Sequence, residues 1–149
     1  MKTPVLWILT ADHQHARMFT TEGGGGRLHP VEGFAQETHL PASHEAGSHP
    51  PDTGFASRGG PRHGYPARTT PHAQAGLAFL DRVAAAVVDA WEHRAFERLV
   101  LAAPPKALGE LRARLPDGLR DCLAGELALD LAQAPVAEVE THLRHLLRP

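Results

Sequence analysis

The chain has 149 residues, 42% of them hydrophobic and 21% charged, a globular balance at a length that normally folds as one domain, here taken as 1–149. A formal net charge of −2 excludes a global polyanion-binding character, and one cysteine, Cys122, excludes an intrachain disulfide and a multi-cysteine zinc site. No run approaches the ~18 apolar residues of a membrane span, and the apolar run at 5–9 is too short for a signal-peptide core, so a cytoplasmic protein without a membrane partner is expected.

Residues 5–11, VLWILTA, read as a first strand that is apolar throughout and therefore central. Asp12, His13 and Gln14 break it, and 16–20, ARMFT, resume an extended pattern, as in a hairpin. Gly23 to Gly26 form a second turn. Residues 28–35 are a third extended segment, which Pro30 assigns to a sheet edge. From 37 to 71 the chain holds six prolines and five glycines, is rich in histidine, and has only Leu40, Phe55 and Tyr65 as large apolar anchors. A loop this long without periodicity is functional or disordered.

Thr70 and Pro71 then match an N-cap followed by proline at the first helical position. The helix they open runs to about His93, with Leu77, Leu80, Ala84, Val87, Val88 and Trp91 on one stripe. Residues 99–103, LVLAA, are a second central strand, and Pro105 opens a helix whose Leu108, Leu111 and Leu115 point inward and whose Glu110 and Arg114 form a surface pair. One helical turn follows at 119–123, then a half-buried strand at 126–131, then a last helix with Val136, Val139, Leu143, Leu146 and Leu147 inward. The order β-β-β-loop-α-β-α-β-α predicts an α/β fold, a mixed five-stranded sheet with helices packed on it.

Three groups of residues carry candidate chemistry. His39, His44 and His49 recur every five residues, yet zinc needs three or four ligands at about 2.0–2.1 Å on a firm frame, so no metal or other cofactor is expected. Asp12 ends the first strand and, with loop histidines, is the one carboxylate placed for a metal-dependent hydrolase; the competing role is a turn residue that bonds its own backbone. Arg58, Gly59, Gly60 and Arg62 combine exposed backbone with positive charge, a pattern suited to an RNA backbone. Nothing in the chain points to DNA.

Residues 7–12, WILTAD, and 16–19, ARMF, are followed by Pro71-His72, by 99–105, LVLAAPP, and by 129–131, LDL. In this order and spacing they resemble the bacterial family described as required for attachment to host cells. That family is similar in turn to the central domain of archaeal and eukaryotic class-1 peptide release factors. The resemblance implies the same fold and a loop before the long helix that, in release factors, carries Gly-Gly-Gln. Here Gly59-Gly60-Pro61 stands in that loop, and proline has neither the backbone N–H nor the side-chain amide. The resemblance therefore implies no catalytic residue and no ester hydrolysis. It implies contact with a ribosome, tRNA or other RNA through Arg58, Gly59, Gly60 and Arg62. The family description also implies a protein-interaction module with an indirect role in attachment.

Overall fold

The computed structural model describes residues 4–21, 27–34, 36–37 and 70–146. Strands β1 (Leu6–Ala11) and β2 (His15–Thr20) form an antiparallel hairpin, with Trp7 opposite Thr20 and Ala11 opposite Ala16. The outer neighbour of β2 is not one strand but two short ones. β3 (His29–Pro30) pairs with the Phe19 end, and β4 (Gln36–Glu37) pairs with the His15 end. The extended segment expected at 28–35 is therefore interrupted. Pro30 has no N–H to continue a ladder, and Gly33, at φ 82°, turns the chain through a left-handed conformation that favours glycine. Pro30 does lie on the edge.

On the other side, β1 runs parallel to β5 (Arg98–Ala102), and β5 runs parallel to β6 (Leu123–Leu127). β1 and β5 are thus interior strands, as their unbroken apolar runs require. The last strand lies upstream of the expected 126–131. Ala102, at the end of β5, already pairs with Leu127, so Leu129 and Leu131 have no ladder to join. Leu129 is exposed and Leu131 is buried in a turn. Gly125 falls inside β6 because Leu146 packs over it: a Cβ there would meet a Leu146 methyl at 2.7 Å. The single helical turn is α3 (Asp117–Arg120), between α2 (Pro105–Ala113) and β6.

Helix α1 (Pro71–Glu92) starts where expected. The Thr70 hydroxyl accepts from Ala73 N–H at 3.0 Å, and Pro71 is its first residue. Its buried stripe is Gly76, Phe79, Leu80, Val83, Ala84 and Val87. Phe79 and Val83 occupy its middle, while Leu77, Val88 and Trp91 flank it, half-buried. Glu110 and Arg114 do not pair through their charges. Arg114 Nε reaches across to Asp81 of α1 at 2.6 Å and its Nη1 donates to the Glu110 carbonyl.

Strand alternation sorts the core into two faces. Leu9, Met18, Leu99 and Leu101 pack against α1 and α2. Ile8, Phe19, Val100 and Ala102 pack against α4 (Val136–Leu146) through Val139 and Leu143. Among the described residues, no helix is long and apolar enough to cross a membrane.

Candidate functional site

Polar groups gather where β1 and β5 end, the edge at which open α/β sheets bind ligands. The β1–β2 turn is built by Asp12, whose Oδ1 accepts from Gln14 N–H at 2.7 Å and from His15 N–H at 2.6 Å. His15 Nδ1 lies 3.5 Å from the same oxygen without a hydrogen bond. Asp12 thus acts as a turn residue, and this geometry occupies one of the two oxygens that a metal role would use.

His13 leaves the turn in the other direction. Its ring lies on α1 at Gly76, where an added Cβ would meet ring and Cβ atoms at 3.1–3.3 Å. From there it reaches Glu110 of α2, Nε2 to Oε1 at 2.6 Å. A carboxylate only accepts, so the ring carries a proton on Nε2. The pair ties the β1–β2 turn to both helices of one face.

On the opposite face Thr10 and Arg17 stand directly across from each other in the β1–β2 register. Arg17 Nη2 donates to the carbonyls of Leu131 at 2.9 Å and Ala134 at 2.7 Å, holding the turn between β6 and α4 against the sheet. The guanidinium also lies 5.1 Å above the Phe19 ring. Burial pushes its pKa below the ordinary arginine value. Thr10 is fully buried, and among the described residues neither its hydroxyl nor Arg17 Nε has a hydrogen-bond partner.

The residues singled out from the sequence divide accordingly. Asp12 is at this edge. Arg58, Gly59, Gly60, Arg62, His39, His44 and His49 lie outside the described residues. Both flanks of their segment reach the edge: Glu37 of β4 pairs opposite His15, and α1 begins at Pro71, just ahead of the Gly76 contact with His13. Among the described residues, no group of three or more His, Cys, Asp or Glu could hold a metal ion. Cys122 is far from this edge. Its Sγ–H donates to the Gly118 carbonyl at 3.4 Å, and it lines a cavity of about 660 Å³ with Val5, Trp91 and Phe96 at the start of the parallel strands.

Sequence reasoning missed the partnership of His13 with Glu110, which are 97 residues apart and share no local pattern. Arg17 had a signal. It is a charge on the same strand face as Phe19, inside an otherwise apolar strand.

A family model described as "Protein required for attachment to host cells" matches residues 7–143. The chain belongs to this family. Among solved structures, the fold of this host-attachment family member is similar to that of an archaeal translation termination factor, aRF1, at a TM-score of 0.50 and 15% identity. The match covers 95% of this chain and 37% of the factor, so the family member spans little more than a third of that protein. At this identity the likeness concerns the fold. No curated protein matches the chain.

Proposed function

We propose that this host-attachment family protein is a non-catalytic, cytoplasmic module that contacts RNA or the ribosome through the segment between β4 and α1. One observation carries the reading. Both flanks of that segment arise at the C-terminal edge of β1, where an α/β sheet offers its ligand surface. The segment holds Arg58, Gly59, Gly60 and Arg62, two cations around a backbone stripped of side chains. Similarity in fold to a termination factor supports the direction of the proposal, and Pro61 in place of a glutamine supports binding without hydrolysis.

The test is RNA affinity measured across a salt series, for the wild type and for Arg58→Ala with Arg62→Ala. Removing two phosphate contacts on single-stranded RNA should weaken binding and lower the slope of log affinity against log salt by about 1.4. Equal affinity and equal slope in the two proteins would refute the proposal. Co-sedimentation with ribosomal particles at low salt, lost at high salt, is the matching result in a cell lysate.

A further inference from the structure

The cavity at the start of the parallel strands lies at the other end of the sheet from Asp12, His13 and Arg17. Its volume, about 660 Å³, is in the range of small-molecule sites. Buried Phe96 and half-buried Val5, Trp91 and Cys122 form its apolar lining. Both aromatic walls are supported from behind. The Trp7 ring stands 5.1 Å from the Phe96 ring, tilted by 35°. The Trp91 indole lies over Gly118, where an added Cβ would meet it at 3.0 Å. Among the described residues the Trp91 indole N–H has no hydrogen-bond partner, and it is open to solvent.

The rim carries both signs of charge. Glu92 and Arg94 border the cavity and are exposed, and neither the carboxylate nor the guanidinium has a hydrogen-bond partner among the described residues. Glu97 is also at the rim, but its Oε1 accepts from Val5 N–H at 2.8 Å. Arg94 is held here against a backbone preference. At the end of α1, Arg94 N–H donates to the Trp91 carbonyl and Ala95 N–H to the Ala90 carbonyl, both at 2.9 Å. This helix ending places one residue in the left-handed conformation, and that residue is usually glycine. Arg94 occupies it at φ 61°, and among the described residues no other non-glycine residue has a positive φ. Strain of this kind clusters at ligand sites.

An aromatic lining with a donor and an acceptor at its rim matches a planar heterocycle whose edge carries both acceptors and donors. Nucleobases have that chemistry, and unstacked bases bind on aromatic side chains with hydrogen bonds along their edges. Guanine uses both rim charges: O6 and N7 accept from a guanidinium, and N1–H and the N2 amino group donate to a carboxylate. We propose that Trp91, Phe96, Glu92 and Arg94 form a guanine-binding pocket, filled by a free nucleotide or by a base splayed from RNA. The pocket involves none of the residues 58–62, so it stands or falls independently of RNA contact through that segment.

Cys122, the one cysteine of the chain and part of the lining, serves as reporter. Guanosine monophosphate at about ten times its dissociation constant should slow alkylation of Cys122 by iodoacetamide about tenfold and shift the Trp91 indole N–H resonance saturably. Ribose 5-phosphate should do neither. Arg94→Gly relieves the left-handed strain, so it should raise the folded-to-unfolded ratio about fivefold. The same change should weaken guanosine monophosphate binding about tenfold, as the loss of one charged hydrogen bond does. Arg58→Ala with Arg62→Ala should leave the protection of Cys122 intact even where RNA affinity falls. A single-stranded RNA oligonucleotide with unpaired guanines that protects Cys122 at a lower concentration than the nucleotide identifies RNA as the source; the reverse order identifies a free nucleotide. Cys122 alkylation and the Trp91 signal both unchanged at millimolar guanosine monophosphate would overturn the pocket. So would equal protection by ribose 5-phosphate, or an Arg94→Gly protein that binds the nucleotide unchanged.

Discussion

The two faces of the sheet are built to different standards. The face under α1 and α2 is continuous apolar packing, with Phe79, Leu80, Val83, Leu99, Leu101 and Leu111 all within 1% of full burial. The face under α4 is smaller, and at the end of β1 its apolar surface gives way to Thr10 and Arg17, with two polar atoms that have no hydrogen-bond partner among the described residues. Close packing and complete hydrogen bonding stabilise a fold; departures from them persist where function needs them. The first face is held by apolar packing, and the second is held at its edge by Arg17, whose Nη2 donates to the Leu131 and Ala134 carbonyls.

That contrast can be broken by substitution. Phe79→Ala opens a large cavity in the first face and should cost about 3–5 kcal/mol, read from urea unfolding. Leu143→Ala, in the smaller core, should cost about 2–3 kcal/mol. A loss at Leu143 equal to that at Phe79 would mean that the two faces contribute alike. Arg17→Met keeps an apolar stem above Phe19 but frees the Leu131 and Ala134 carbonyls. Relief of a poorly solvated cation offsets part of this loss, so the expected cost is about 1–2 kcal/mol, with faster amide exchange in the turn at 131–134. Unchanged exchange there would show that Leu131 and Ala132, both buried, hold the turn without help from Arg17.

Much of the better-packed face was legible in the sequence. Unbroken apolar runs marked β1 and β5 as interior strands, and Thr70-Pro71 and Pro104-Pro105 marked helix starts, because these signals are local. The errors arose where a distant partner decides the outcome. The alternation of Leu127, Leu129 and Leu131 reads as a strand, yet β6 ends at Leu127 because β5 offers nothing beyond Ala102. Gly125 lies inside β6, a position fixed by Leu146, which packs over it from far along the chain. Glu110 reads as the partner of Arg114, four residues on, but its carboxylate reaches His13, far away in the chain. The candidate site shows the same division. Asp12 as a turn residue follows from a short-range pattern, whereas the exposure of Arg17 to two carbonyls more than a hundred residues away does not.

The smallest expected effect lies on the well-packed side, at the exposed end of α1. His93 caps the helix, and its Nδ1–H donates to the Asp89 carbonyl at 2.8 Å, with the Asp89 carboxylate 3.6 Å away. The carbonyl bond first, and then the carboxylate charge, hold the protonated ring and raise its pKa above 6.5. A folded value above the unfolded one means that the contribution to stability is complete below about pH 6.5 and is lost as pH rises through the folded value. The ring is exposed, so the stability curve should barely register it; an NMR titration of His93 should. Asp89→Asn removes the carboxylate and leaves the carbonyl, so it should lower the His93 midpoint only part of the way toward 6.5. A complete return to 6.5 would assign the whole effect to the carboxylate and none to the helix end. A partial return that persists when Glu92→Gln is added, removing the weaker carboxylate influence on the ring, would show that the last carbonyls of α1 attract positive charge at the opposite end of the sheet from Arg17, where the carbonyls of another turn do the same work inside the fold.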